Sequence, residues 1–205
     1  MPHTWDPSAL EPDAALQRLI AGNQRFLAGT AVPRSAFDAK KTAAAQKPFA
    51  VILGCSDSRT PVEILFDQGF GDLFVVRVVG NIVAPSIVGS IEFAASAFGT
   101  RLVVVMGHTM CGAIAATVQA MAGNGPATKN LKSITDRITP HIQGIADAGS
   151  GPETMRKAMH ANVHASVDHL RHGSQLLEEL VLKGRVRIVG AEYDLEHGRV
   201  NFFDY

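Results

Sequence analysis

The chain is poor in cysteine: only Cys55 and Cys111 occur in 205 residues. That is too few for a disulfide-stapled secreted scaffold, and a chain of this length buries a core without such help. It has no excess of either charge. Lys plus Arg and Asp plus Glu number 19 each, a net charge of zero, so nothing favours a phosphate backbone or an anionic membrane, and no nucleic-acid partner is expected. No apolar run approaches the ~18 residues of a membrane span, and residues 1–7 lack the basic and apolar segments of a signal peptide. A cytoplasmic location without membrane association is the expectation. There is no internal repeat, no low-complexity tract and no glycine-rich nucleotide loop. What remains is a globular composition, 46% hydrophobic and 19% charged, in which 19 Gly and 10 Pro argue against a long bundle or coiled coil.

Residues 14–27 place Leu16, Leu19, Ile20, Phe26 and Leu27 at helical spacing, opened by Pro12 and Asp13 and stopped by Gly29. An amphipathic helix ahead of a complete α/β unit needs an apolar partner, so this one is expected to pack on a neighbouring subunit. After a polar stretch over 30–47, residues 49–54 form a short apolar run suited to a strand buried on both faces, as do 73–79 and 102–106. Helices are expected over 85–98, 111–121 and 153–171, with another ending near Lys183. Loops are expected at 123–126 and 149–152. A fourth parallel strand follows at 186–190, then a turn over 193–198 and an antiparallel edge strand at 199–203. This alternation predicts an α/β fold: a mostly parallel four-stranded central sheet with an antiparallel edge strand and helices on both faces. Residues 1–34 read as an N-terminal helical arm and 35–205 as a single α/β domain.

Both cysteines fall just past a predicted parallel strand, in Gly54-Cys55-Ser56-Asp57-Ser58-Arg59 and Gly107-His108-Thr109-Met110-Cys111-Gly112. That edge of an open parallel sheet is where ligands bind. The two loops together supply thiol, carboxylate, imidazole and thiol, a donor set that suits zinc better than magnesium or calcium. Either motif alone arises by chance, and the bland alternatives are one disulfide, which a cytosolic setting disfavours, two buried thiols, or a surface Asp57–Arg59 ion pair. His160 and His164, at i,i+4, and His169 and His172, at i,i+3, lack the Glu of a His-Glu-x-x-His site and read as solvated. Cys55 and Arg59 enclose three residues, not the five of a cysteine phosphatase loop.

At these residues the sequence resembles the β-class carbonic anhydrases, marked by Cys-x-Asp-x-Arg and, some fifty residues on, His-x-x-Cys-Gly; here 108 − 55 = 53. The resemblance spans residues 16–193, including Phe74-Val75-Val76-Arg77-Val78-Val79-Gly80-Asn81 and Gly89-Ser90-Ile91-Glu92-Phe93. It implies Zn²⁺ held by Cys55, His108 and Cys111, with water or Asp57 in the fourth position. It also implies reversible hydration of carbon dioxide to bicarbonate and a proton, the carbonate dehydratase (lyase) reaction, with zinc-bound hydroxide as nucleophile. Asp57 and Arg59 would be the catalytic pair, the guanidinium keeping the carboxylate ionised and off the metal.

The resemblance further places Gln46 as a hydrogen-bonding substrate residue, and Phe74, Val79, Phe93 and Gly112 at the substrate pocket. A second subunit completes that pocket in the family, implying a homodimer or homotetramer. Read without the family, Gln46 is a solvated loop residue and Phe74, Val79 and Phe93 are ordinary core. Some members carry a non-catalytic bicarbonate site of Trp, Arg and Tyr; Arg77 and Tyr193 match it, while the Trp position is Ile52. Positions that are Tyr and His in plant relatives are Phe93 and Ala97, and Val79-Gly80-Asn81 replaces a common Asn-Val-Ala-Asn. The same scaffold also supports hydrolysis of carbon disulfide or carbonyl sulfide, and a zinc-stabilised regulatory module without catalysis is the non-enzymatic alternative.

Overall fold

The computed structural model describes residues 10–125, 128–146 and 151–203; the first half of the loop expected at 149–152 and the last residue of that at 123–126 lie outside them. Five strands form one sheet: β1 (Ala50–Gly54), β2 (Leu73–Arg77), β3 (Leu102–His108), β4 (Arg187–Tyr193) and β5 (Val200–Phe203), in the order β2-β1-β3-β4-β5. The first four are parallel and β5 is antiparallel to β4, as the alternation predicts. β1 and β3 are buried along their whole length, because each lies between two other strands and under helices on both faces.

Alternate side chains sort the sheet into two layers. Val51, Leu53, Val103 and Val105 face a cluster built with α4 (Pro85–Phe98), α5 (Gly112–Met121), α6 (Lys129–Ala146), α7 (Pro152–His172) and α8 (Gln175–Leu182). Ala50, Ile52, Val104 and Met106 face α1 (Pro12–Leu27) and α3 (Val62–Leu65). The last helix is α2 (Ala36–Lys41), where Ser35 donates its N–H to the Asp38 carboxylate at 3.0 Å. No helix among the described residues is long and apolar enough to cross a membrane.

Helix α1 turns part of its apolar face onto the sheet of its own chain. Ala15 and Leu19 are fully buried within their own chain. Asn23 locks the helix down, donating to the Leu65 and Gly198 carbonyls at 3.1 Å each and accepting from the Val200 N–H at 3.0 Å. Together with α3 and Phe66, the helix covers the face of the sheet that carries Ala50, Ile52 and Val104. Strand β2 also differs, ending at Arg77 rather than at residue 79. There the chain enters a 3₁₀ turn, Val79–Asn81, in which Gly80 has φ +71°.

Candidate metal centre

Strands β1 and β3 run side by side in register, Gly54 opposite Met106, so Cys55 and His108 leave the same edge of the sheet together. Met110, at φ +54°, turns the chain back, and Cys111 follows as the N-cap residue of α5. The donor atoms of Cys55, His108 and Cys111 all lie within 4.8 Å of one another, and all three residues are buried.

The imidazole is oriented for a metal. His108 Nδ1 donates to the Thr109 carbonyl at 2.8 Å, which leaves the lone pair on Nε2. That Nε2 is buried and has no hydrogen-bond partner. The Cys111 thiol, against the opposing effect of burial, and then His108 and the Gly80 and Asp57 amides pull the Cys55 thiol down to about 4. The Gly80 N–H lies 3.3 Å from its sulfur. Cys55 and burial in turn hold the Cys111 proton in place. Two coupled thiols, one of them readily ionised, and an imidazole lone pair without a hydrogen-bond partner together fit a soft divalent metal.

Asp57 stands beside this cluster in the grip of Arg59, which donates from Nε to Oδ1 at 2.9 Å, from Nη2 to Oδ2 at 2.7 Å and from its backbone N–H to Oδ1 at 2.9 Å. The Arg59 hydrogen bonds hold the carboxyl well below the usual carboxylate range. Its Oδ2 is 3.9 Å from His108 Nε2. Arg59 Nη2 also reaches the Met110 carbonyl at 3.4 Å, tying the two metal loops together.

Of the substrate residues expected from sequence, Phe74 and Phe93 meet, ring centroids 6.2 Å apart, and share a cluster with Phe98. Phe93 is 49% exposed and Val79 39%, an apolar surface beside the edge strand β2. Gly112, exposed, opens α5 immediately after Cys111. Gln46 is exposed beside Gly71 and makes no hydrogen bond to the metal loops.

Three features escaped sequence reasoning. Arg77 donates from Nε to the Cys55 carbonyl at 2.9 Å and from Nη2 to the Asp57 carbonyl at 2.5 Å. Thr60, buried beneath the loop, donates its hydroxyl to the Asp57 carbonyl at 2.9 Å. His160, expected to be solvated, pairs through Nε2 with the buried Glu192 and stacks on Phe203 at 5.0 Å. A carboxylate buried on β4 requires cationic partners, and the His160 turn of α7 lies over it. His164, His169 and His172 are exposed, as expected. The apolar stretch around Glu192 signals a strand but not which residues of a distant helix will answer the charge.

Fold and site together define an α/β protein with a buried Cys-His-Cys donor cluster at the carboxyl edge of a parallel sheet. The carbonic anhydrase family model matches residues 50–200. The chain is 36% identical to carbonic anhydrase 2 of Mycobacterium tuberculosis over 196 residues, covering 95% of this chain and 94% of the relative. It is 38% identical to the carbonic anhydrase of Mycolicibacterium smegmatis over 191 residues, 92% of each. The chain therefore belongs to the carbonic anhydrase family, in its β class, a family of metalloenzymes whose general reaction is the hydration of carbon dioxide. Its fold is shared with the tetrameric β-carbonic anhydrases of Sordaria macrospora, at a TM-score of 0.73 and 22% identity, covering 93% of this chain and 97% of that one.

Proposed function

We propose that this chain hydrates carbon dioxide reversibly to bicarbonate and a proton, using zinc held by Cys55, His108 and Cys111 and the Asp57–Arg59 pair. The observation that carries the reading is the coexistence of a buried three-donor cluster with a carboxylate poised beside it but held by a guanidinium. A purely structural site has no need of that pair.

When bound, zinc supplies Lewis acidity that brings the ionisation of water toward neutral pH, a behaviour known from three-histidine carbonic anhydrase centres. Two sulfur donors give more electron density than imidazoles and oppose that effect, which makes the carboxylate important. Asp57 accepts a hydrogen bond from the attacking water and aims a lone pair of its oxygen at the carbon of carbon dioxide. Arg59 keeps Asp57 ionised, so that it accepts rather than donates, and holds it back from the metal. In this reading Phe74, Val79, Phe93 and Gly112 form the apolar side of the substrate pocket, a second copy of the chain completes it, and Gln46 hydrogen-bonds substrate. The exposed Phe93 and Val79 beside β2, and a tetrameric relative in Sordaria macrospora, support an oligomer of this chain.

Stopped-flow hydration of carbon dioxide, with metal analysis on the same preparation, tests the proposal. About one zinc per chain and rapid hydration are expected. Cys111→Ser should lose both, since two remaining strong donors hold a catalytic zinc poorly. Full zinc in Cys111→Ser would overturn the ligand assignment, and a zinc-loaded wild type that hydrolyses carbon disulfide or carbonyl sulfide but does not hydrate carbon dioxide would overturn the substrate.

A further inference from the structure

The loop from Cys55 to Thr60 carries a metal donor and both members of the catalytic pair, yet its main chain is held from outside, by the end of β2. Arg77 is the register partner of Gly54. Its Nε donates to the Cys55 carbonyl at 2.9 Å, and its Nη2 to the Asp57 carbonyl at 2.5 Å and to Thr60 Oγ1 at 3.2 Å. Thr60, 1% exposed, sends its hydroxyl to the Asp57 carbonyl at 2.9 Å and its N–H to the same oxygen at 3.1 Å. Three donors thus converge on one peptide oxygen, and the guanidinium adds a fourth bond, on the Cys55 oxygen.

We propose that Arg77 and Thr60 are positioning residues for hydration: by fixing the Cys55 and Asp57 carbonyls they set the direction in which Asp57 presents its carboxylate. The inference rests on the reading of Asp57 given above. The Arg59 guanidinium that grips Asp57 is itself half exposed, and an ion pair with one member open to solvent holds a side chain weakly. Bonds from a charged donor to two peptide oxygens are stronger and act on the backbone, from which the direction of Cα–Cβ follows. Catalysis by a hydrogen-bond acceptor depends on that direction, because a misplacement of about 1 Å is costly. The same contacts argue against Arg77 as part of an anion subsite. Its Nε–Nη2 edge, the fork that would take bicarbonate, is occupied by the protein's own carbonyls.

The test uses the zinc-loaded protein with Arg77→Met, Arg77→Lys and Thr60→Val, following zinc content, kcat and KM for carbon dioxide, and hydrogen exchange of the Arg59 Nε–H by NMR of arginine-labelled protein. Arg77→Met should keep its zinc, lose about tenfold in kcat with KM within about twofold, and exchange the Arg59 Nε–H about tenfold faster. Arg77→Lys, which keeps one charged donor, should fall between it and the wild type. Thr60→Val should move both readouts the same way by less, and it carries the test if Arg77→Met does not fold. Unchanged kcat and unchanged Arg59 exchange in whichever of these variants folds would overturn the brace. So would a variant that keeps its kcat but loses inhibition by bicarbonate, which would make Arg77 an anion subsite. Asp57→Asn separates the two readings: full kcat there would overturn the catalytic role of Asp57, while Arg59 exchange in Arg77→Met would still report on the brace.

Discussion

At Gly80 the backbone has φ +71°, and a Cβ would come within 2.9 Å of Ala113 Cβ and 3.1 Å of Ile138 Cδ1. The same residue's N–H donates to Cys55 Sγ. Gly80→Ala should therefore lower stability by about 1–3 kcal/mol and loosen the metal, measured by urea denaturation and by competition with a zinc chelator. Glu192 supports a pH prediction. Burial opposes its charge, but Arg156 Nε, at 2.9 and 3.1 Å from its oxygens, and His160 outweigh burial and hold the carboxyl below its usual range. A depressed carboxyl contributes stability above its unfolded value, ~4.3, and that contribution is lost as pH falls through the folded value. Arg156→Met should thus cost about 1–3 kcal/mol at pH 7, less than breaking a fully buried pair because Arg156 is half exposed and His160 remains. Urea titrations near pH 7 and below pH 4 should show the difference shrinking in acid. The sequence displays Cys55, Asp57, Arg59, His108 and Cys111 because each motif packs its chemistry into a few consecutive residues. It conceals what Gly80, Thr60 and Arg77 do, because their bonds are made by or to main-chain groups that no residue pattern records.

Among the elements, β1 and β3 are legible because strands buried on both faces leave continuous apolar runs, and α4 because its start at Pro85 and its left-handed stop at Gly99 are both in the sequence. The six-residue α2 is too short to show a periodicity. The apolar run of β2 reads two residues too long because Val78 and Val79 continue it, while the turn that ends the strand is fixed by packing of Gly80 on α5 and α6. Helix α1 shows the limit of amphipathicity: a periodic apolar face says that something must cover it, not which chain does so. Leu19 lies at the centre of that contact and is fully buried. Leu19→Ala should cost about 2–5 kcal/mol by urea denaturation, and dilution of the protein should not change that cost if the contact lies within one chain.

For the whole molecule, the partly exposed aromatic surface of Phe74, Phe93 and Phe98 beside the open edge of β2 is where a second copy is proposed to dock. Phe93→Asp should reduce the mass seen by light scattering and lower hydration with it, because the partner completes the substrate pocket in the proposed assembly. The placement of the three metal donors on two neighbouring strands also has a kinetic side. His108 and Cys111 are local to one another and can take hold of an ion in an unfolded chain, whereas Cys55 joins them only once β1 has aligned with β3. The intervening connection holds β2 and α4. Contacts that form after such a long closure belong to the late part of folding. Zinc should therefore leave the refolding rate nearly unchanged and slow unfolding, so that the two arms of a denaturant chevron respond unequally to the ion. Loss of the ion would then set the lifetime of the native chain, starting its unfolding rather than merely silencing it.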